Sequence, residues 1–267
     1  MTSRFHSIFG TNTKPLIAMA HVPALPGTPL YDEQEGIAGM IRHVREDVSI
    51  LVDAGFDAIL FCNENDRPYE LNAGPESAAV MTRIVAECRP ANIPFGVDFL
   101  WDPRIALAAA VASEAAFMRE VTTGVWESDM GLWNTDCAHT LRERRRLGAD
   151  LAVFMNITPE FASPIGSRTA PDIARSTVVS SLADAILVSG PMAGAGPDLA
   201  TVQDVREATP PDVPVLLNTG AKRETISQFL TIADGCIVGS DLKIDGHTWN
   251  SVDPIRASDF VKTARSG

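Results

Sequence analysis

Short apolar segments recur along the chain at nearly constant intervals. Eight of them stand out: Leu16–Ala20, Ala58–Cys62, Phe95–Leu100, Ala116–Val121, Leu151–Ile157, Ala185–Val188, Val215–Leu217 and Cys236–Val238. Their mean spacing of about 31 residues is typical of consecutive β-strand–α-helix units. Most of the segments are apolar throughout rather than alternating, which predicts parallel strands that are covered on both faces.

Segments with the periodicity of amphipathic helices separate these predicted strands. The clearest is Glu35–Ala54, where apolar side chains recur every three or four residues and Gly55 follows the last turn. Several of the others begin with Pro or Asp, residues that suit the first turn of a helix. The remaining predicted helices are Pro75–Cys88, Pro103–Ser113, Thr135–Leu147, Ala170–Leu182, Asp198–Ala208, Lys222–Ile232 and Pro254–Ala264.

Eight strands that are each followed by a helix predict a single (β/α)8 TIM barrel. The 267 residues suit one such domain, which we place at 1–267 with its core at about 14–264. A doubly wound open sheet is the alternative. We favour the barrel because the sequence has no break in composition and no linker rich in Pro or Ser between its two halves.

Composition and charge narrow the classes of partner. The 45% hydrophobic content is that of an ordinary globular protein. The 34 acidic and 22 basic residues give a formal charge of −12, which argues against nucleic acid as a partner because phosphate backbones need a basic surface. The longest apolar stretch, Ile105–Ala112, is too short to span a membrane. Homo-oligomer formation is a further expectation.

The cysteines indicate a reducing compartment. Cys62, Cys88, Cys137 and Cys236 are far apart and form no C-x-x-C pair, so we predict no structural zinc site and a cytoplasmic location. The first residues also lack the apolar segment of a secretory signal. We interpret Cys62 as a packing residue rather than a nucleophile, because no fixed spacing to a histidine supports catalysis.

Polar residues follow the carboxyl ends of the first five predicted strands, where a TIM barrel carries its active site. Acid–base chemistry is assigned to His21, Glu64, Asp98 and Glu120, and stabilisation of negative charge to Arg119. Adjacent strand residues point to opposite faces, so only one of Arg119 and Glu120 enters the barrel, and we favour Arg119. The candidate catalytic residues are His21, Glu64, Asp98, Arg119, Glu120 and Asn156.

A metal site is an alternative use of the same residues. Glu64 and Asp98, with His21, are suited to hold a divalent cation such as Mg²⁺ or Mn²⁺ through oxygen ligands. The sequence assigns no cofactor firmly. No predicted strand carries a lysine in its interior, which disfavours Schiff-base chemistry.

Glycine-bearing turns follow the last three predicted strands and indicate a phosphate site. Glycine lets the backbone approach a ligand closely, and the loops after the seventh and eighth strands are the usual phosphate site of this fold. Tight turns at Gly220 and Gly239 and a surface role for Lys243 are the alternatives. The candidate phosphate-binding residues are Ser189, Gly190, Asn218, Gly220, Gly239, Ser240 and Lys243.

A long segment, Thr122–Asn134, follows the fourth predicted strand and is interpreted as a loop over the site. It contains Trp126 and Trp133. These side chains are suited either to stack on a sugar or base, or to pack the loop onto its own barrel.

The chain resembles the BtpA/SgcQ family of phosphate-binding (β/α)8 proteins from about Lys14 to Val261. The segments that carry the resemblance are Ala20–Pro29, Glu64–Pro68, Leu187–Gly190 and Ala233–Lys243. The resemblance implies a barrel of the ribulose-phosphate-binding type and a phosphorylated ligand. One member of the family carries a photosystem I biogenesis label, and others resemble companions of sugar-uptake and sugar-catabolism genes.

The end of the fifth predicted strand departs from the family pattern. Asn156, Glu160 and Phe161 stand where the family has an Asp and a downstream Lys-His pair, and Asp98 stands where an Asn is usual. These differences indicate a changed substrate or a lost activity. We therefore carry three hypotheses: an isomerase, lyase or glycosidic-bond enzyme of a small phosphorylated sugar, a non-catalytic assembly or regulatory factor, and a divalent-metal hydrolase.

Overall fold

The structure, a computed structural model, describes residues 3–11 and 13–266. The strands are β1 (Leu16–His21), β2 (Ala58–Cys62), β3 (Phe95–Val97), β4 (Phe117–Val121), β5 (Gly124–Ser128), β6 (Gly131–Thr135), β7 (Ala152–Asn156), β8 (Ala162–Pro164), β9 (Ala185–Val188), β10 (Val215–Leu217) and β11 (Cys236–Val238). The helices are α1 (Arg4–Phe9), α2 (Gly36–Ala54), α3 (Pro75–Cys88), α4 (Pro103–Ser113), α5 (Cys137–Arg146), α6 (Ala170–Ser180), α7 (Leu199–Ala208), α8 (Ile226–Phe229) and α9 (Pro254–Arg265).

Eight parallel strands close into a barrel in the order β1-β11-β10-β9-β7-β4-β3-β2. The predicted TIM barrel is therefore confirmed. The residues of these strands are buried along their whole length, as their continuous apolar sequence predicts for strands covered by helices outside and side chains inside.

Aromatic side chains close the N-terminal end of the barrel. Phe117, at the start of β4, stacks on Phe154 at 4.8 Å between ring centroids. Phe5 and Phe9 of α1 pack against these two rings. The six-residue helix α1 was not predicted, since it is too short to show a helical period. With this end filled, a ligand site is expected at the opposite end.

The segment Thr122–Asn134 is not a loop, and that prediction is wrong. It contains the antiparallel hairpin β5–β6, with β8 pairing on the other edge of β5. Trp126 and Trp133 face each other across the hairpin and are buried, while Val125 and Leu132 are exposed. This alternation has the period of two that a half-buried strand requires.

Other predicted boundaries also need correction: the third strand ends at Val97 rather than Leu100, and several helices are shorter than predicted. The segment Lys222–Ile232 is helical only at Ile226–Phe229, because turns occupy the residues on both sides. Helix α5 begins at Cys137, because Thr135 belongs to β6 and Asp136 caps the helix by accepting from the backbone N–H groups of Ala138 and His139. Among the helices in residues 3–11 and 13–266, none has the length and apolar character needed to cross a membrane.

Candidate active site

A cavity of about 310 Å³ lies at the C-terminal mouth of the barrel. Its walls come from both halves of the chain, in keeping with strand ends that meet at one face. Seven of the candidate catalytic and phosphate-binding residues line it: His21, Glu64, Arg119, Asn218, Gly220, Gly239 and Ser240.

Arg119 occupies the centre of the acidic side of this cavity. One guanidinium nitrogen, Nη2, donates to Glu160 at 2.6 Å, and the other, Nη1, lies 3.2 Å from a carboxylate oxygen of Asp98. Burial by itself lowers the pKa of Arg119, but the charges of Glu160 and Asp98 outweigh it and raise the pKa above its ordinary value. Arg119 therefore holds a permanent positive charge beside two carboxylates.

Glu160 accepts hydrogen bonds from four side chains on this side of the cavity. Its Oε2 accepts from Asn156 at 3.0 Å as well as from Arg119, and its Oε1 accepts from Asn218 at 3.3 Å and from Thr219. From the sequence, Glu160 is identified only as a departure from the family pattern and not as a candidate site residue. Its position four residues after Asn156, at a strand end, is the signal that marks it as a site residue.

Glu64 is the residue best placed for proton transfer. It is buried, and burial together with the charge of Glu160 raises its pKa to about 7, against the opposing effect of Arg119. A carboxyl group with this pKa is present in both protonated and ionised forms at neutral pH, as a general acid or base requires. The neighbouring Cys62 has a pKa raised well above its ordinary value, chiefly by burial, so its thiol stays neutral.

Asp98 lies behind Arg119 rather than at the surface of the mouth cavity. Burial raises its pKa to about 6, although Arg119 lowers it. Within the described ranges 3–11 and 13–266, no group of three or more His, Cys, Asp or Glu side chains is arranged to hold a metal ion. The proposed metal site at Glu64 and Asp98 stays a prediction, in competition with the ion pair between Asp98 and Arg119.

His21 is a neutral hydrogen-bonding group. Its Nδ1 lies 3.0 Å from the carbonyl oxygen of Thr248 and must donate, because a carbonyl only accepts. Burial, reinforced by the charge of Lys243, lowers its pKa to about 3. The unprotonated Nε2 adjoins Gly239, where a Cβ atom would stand only 2.9 Å from it. His21 can therefore accept a hydrogen bond from a ligand hydroxyl.

The opposite side of the cavity is formed by glycine-rich backbone and two cations. Gly220 has a φ of 83°, and a Cβ atom there would be 2.0 Å from the backbone nitrogen of Gly196, so these two loops meet only because residue 220 is glycine. Lys222 and Arg256 also line this side. Arg256 belongs to α9. It was not predicted as a site residue because the candidates were taken only from the ends of strands and the loops that follow them.

Three candidate phosphate ligands do not line the cavity. The Ser189 hydroxyl accepts from Asn218 at 2.7 Å, and a Cβ atom on Gly190 would collide with the carbonyl oxygen of Ala195 at 1.9 Å. Lys243 is fully buried, and its Nζ donates to Asp47 of α2 at 2.8 Å. The phosphate roles predicted for these residues are not supported by their placement.

Glu120 points away from the mouth cavity. Arg119 faces the barrel interior, and Glu120 faces α5, where its Oε1 accepts from Thr140 at 2.8 Å. Its Oε2 has no hydrogen-bond partner among the residues that the structure describes. Burial raises its pKa to about 8, against the hydrogen bond from Thr140. The structure therefore separates Glu120 from the other acid–base candidates.

Glu120→Gln is expected to remove part of the pH dependence of stability. Because the pKa of Glu120 rises from 4.5 to about 8 on folding, the folded chain binds more protons between these values. Stability consequently falls as the pH rises through this interval and levels off above it, with a slope of at most about 1.4 kcal/mol per pH unit. Urea denaturation across this range should show the variant gaining stability over the wild type as the pH rises.

Glu127→Gln is the matched control for this measurement, because Glu127 is an exposed carboxylate on the nearby hairpin. It should follow the wild-type curve. Parallel stability curves for Glu120→Gln and the wild type would contradict the assignment of a protonated Glu120.

Comparison with known proteins matches nearly the whole chain. The family model of the BtpA family matches residues 12–266. The sgc region protein SgcQ of Escherichia coli K12 is 41% identical, over 96% of this chain and 95% of that protein. The photosystem I biogenesis protein BtpA of Synechocystis sp. is 30% identical, over 95% of this chain and 88% of that protein.

Solved structures share the barrel at low sequence identity. Thiamine phosphate pyrophosphorylase of Pyrococcus furiosus has a TM-score of 0.59 at 12% identity, covering 95% of this chain and 96% of that one. N-(5′-phosphoribosyl)anthranilate isomerase of the same organism has a TM-score of 0.56 at 13% identity, covering 95% of this chain and 100% of that one. At these identities the likeness concerns the fold.

Proposed function

Because the chain belongs to the BtpA family, whose model matches residues 12–266, we propose that it is an enzyme of a small phosphorylated sugar or a related metabolite. The observation that carries the proposal is the division of one cavity into two chemically different sides. Glycine-rich loops with Lys222 and Arg256 form one side, and Glu64, Glu160 and Arg119 form the other.

The phosphate is assigned to the glycine side, against the loops that follow β9, β10 and β11. Gly194, Gly220 and Gly239 line this side of the cavity, where the backbone N–H groups of loops can bind an anion, and Lys222 and Arg256 supply positive charge. Asp241 offsets part of that charge, since it pairs with Arg256 at 3.0 Å. The acidic side of the cavity repels the phosphate and so orients the ligand.

The chemistry assigned to the other side is proton transfer next to a carbonyl group. Glu64 removes or delivers the proton, and Arg119 stabilises negative charge that develops on the carbonyl oxygen. Neutral His21 accepts from a hydroxyl group of the ligand. These roles fit isomerisation or carbon–carbon lyase chemistry, and the barrel enzymes of phosphorylated compounds that share the fold supply an analogy for it.

The non-catalytic alternative is an assembly factor, as the name of the Synechocystis relative suggests. A binding or assembly role has no need for a buried carboxyl group that titrates near neutral pH. We therefore place the enzyme first. A cytoplasmic location and homo-oligomer formation stay predictions.

Lys222→Gln is expected to weaken binding of phosphorylated ligands by about three- to tenfold, because one exposed cation leaves the phosphate side. Isothermal titration with inorganic phosphate and ribose 5-phosphate measures this directly. The affinity of the wild type should also fall as ionic strength rises.

Lys262→Gln is the matched control, because Lys262 is an exposed lysine on α9. It should bind both ligands as the wild type does. If neither phosphate nor ribose 5-phosphate binds the wild type at millimolar concentration, or if Lys222→Gln binds equally well, the phosphate site is not where we propose it.

A further inference from the structure

Three carboxylate side chains line the mouth cavity, and two of them are paired with arginine. Glu160 accepts from Arg119 at 2.6 Å, and Asp241 pairs with Arg256 at 3.0 Å. Glu64 has no arginine or lysine within salt-bridge distance among the residues that the structure describes. It is therefore the carboxylate of this cavity whose charge the described residues leave unpaired.

One carboxylate oxygen of Glu64 is free to meet a ligand. Its Oε2 accepts a long hydrogen bond from the thiol of Cys62, at 3.8 Å. Its Oε1 accepts from no side chain or backbone group in residues 3–11 and 13–266, and protein atoms do not enclose it as they enclose Glu120 Oε2. Glu64 is only 8% exposed and lines the mouth cavity, so a partner for Oε1 has to come from inside that cavity.

The surroundings of Glu64 favour a cation at Oε1 over a neutral hydroxyl group. Burial and the charges of Glu160 and Asp98 disfavour the ionised form of Glu64, and Arg119 offsets only part of this effect. An ammonium group at Oε1 supplies the missing positive charge and donates hydrogen bonds as well. A metal ion needs several oxygen ligands, whereas Glu64 offers a single free one.

Lys222 carries the matching unpaired charge elsewhere in the cavity. In the described part of the chain, no carboxylate lies within salt-bridge distance of its ammonium group, and Asp241 is engaged by Arg223 and Arg256 instead. Lys222 follows β10 and Glu64 follows β2, and strands β1 and β11 lie between these two in the barrel. The cavity therefore presents an unpaired positive and an unpaired negative charge at separate places.

A ligand that carries both charges complements this arrangement. We propose that the substrate is a phosphate monoester that also carries an amino group, whose ammonium form binds Glu64 Oε1 while the phosphate lies beside Lys222. The position of the phosphate rests on the proposed function. His21 of β1 and Gly239 after β11 line the cavity between the two ends, where the carbon chain and its hydroxyl groups are accommodated.

The chemistry assigned to Glu64 narrows the position of the amino group. A carboxyl group that transfers a proton next to a carbonyl group must lie close to the carbon that bears this proton. An amino group on the same carbon is then within reach of the same carboxylate. The substrate class that results is the 2-amino sugar phosphates, in which the amino group and the transferred proton share the carbon next to the carbonyl group.

Isothermal titration with three sugar phosphates that differ only at carbon 2 tests this inference. Glucosamine 6-phosphate has an ammonium group there, glucose 6-phosphate a hydroxyl group, and N-acetylglucosamine 6-phosphate a neutral amide. The wild type should bind glucosamine 6-phosphate about tenfold or more tightly than either of the others, the usual value of a charge-assisted hydrogen bond. EDTA should leave this preference unchanged, since the pairing needs no metal ion.

Glu64→Gln should abolish the preference, because its amide carries no charge to pair with the ammonium group. It should bind glucose 6-phosphate as the wild type does, which shows that the variant is folded and its phosphate site intact. Glu70→Gln, an exposed carboxylate of the same loop, is the control and should keep the preference. Equal binding of glucosamine 6-phosphate and glucose 6-phosphate by the wild type, a preference that persists in Glu64→Gln, or one that EDTA removes would overturn the proposal.

Unphosphorylated glucosamine and glucose separate this inference from the proposed phosphate site. If glucosamine binds more tightly than glucose, and phosphorylation of either sugar adds no affinity, the phosphate site is wrong and the amino site stands. If glucosamine 6-phosphate and glucose 6-phosphate bind equally, and both more tightly than the sugars without phosphate, the phosphate site stands and the amino site is wrong.

Discussion

Glu64→Gln is expected to slow proton transfer on a phosphorylated sugar by about 10²- to 10⁴-fold, the usual contribution of a positioned acid–base group. The substitution preserves the shape of the side chain and removes its ability to exchange a proton. Because the pKa of Glu64 is about 7, its two protonation states are both populated at neutral pH, and the amide reproduces neither role.

Exchange of carbon-bound hydrogen with D₂O, followed by NMR, measures this step without knowledge of the product. Ribose 5-phosphate, glucose 6-phosphate and fructose 6-phosphate are suitable probes. If Glu64 acts as the base, the wild-type rate should rise with pH up to about 7 and then level off, since only the ionised carboxylate abstracts a proton.

Glu70→Gln is the matched control, because Glu70 is an exposed carboxylate in the same loop. It should exchange hydrogen at the wild-type rate. Exchange that persists in Glu64→Gln would remove Glu64 from the mechanism. Absence of exchange by the wild type on all three probes would contradict proton transfer on these sugars.

Lys243→Met is expected to lower the free energy of unfolding by about 3–5 kcal/mol, the usual cost of breaking a buried ion pair from one side. Lys243 is fully buried, and its ammonium group lies 2.8 Å from Asp47. The substitution leaves the Asp47 carboxylate buried, with one hydrogen bond from the backbone N–H of Val252 at 2.8 Å and, among the residues that the structure describes, no other lysine or arginine within salt-bridge distance. Urea denaturation of the variant measures the loss.

The double variant Lys243→Met/Asp47→Asn should recover most of that loss, because no unpaired charge stays buried. Lys262→Met, at an exposed position of α9, should change stability by no more than about 0.5 kcal/mol. A loss below about 1 kcal/mol for Lys243→Met would contradict a stabilising role for the ion pair between Lys243 and Asp47 of α2.

The barrel could be predicted from the sequence because buried parallel strands appear as short segments that are apolar throughout. Four of the eight predicted strands have the observed boundaries: Ala58–Cys62, Ala185–Val188, Val215–Leu217 and Cys236–Val238. Active sites of TIM barrels lie at the carboxyl ends of the strands. This allowed His21, Glu64 and Arg119 to be predicted as site residues, and all three line the mouth cavity.

The incorrect predictions have physical causes that the local sequence pattern does not contain. Lys243 follows a strand, as a phosphate-binding residue of this fold would. It instead forms an ion pair with Asp47, which is distant in sequence, so only the tertiary structure distinguishes a phosphate ligand from a structural ion pair. Buried and exposed residues alternate along the two strands of the β5–β6 hairpin, but each strand has only five residues, which is too short to distinguish it from a loop by sequence pattern. Glu160 owes its importance to four donors brought together from β4, β7 and the segment after β10.

A crystal structure of the protein soaked with ribose 5-phosphate tests the central claim most directly. The predicted result is phosphate density against the backbone of Gly220 and Ser240, beside Arg256, with the sugar directed towards Glu64. A ligand whose phosphate lies beside Glu160 and Arg119, or a mouth cavity without ligand under conditions where binding is measured in solution, would contradict the account.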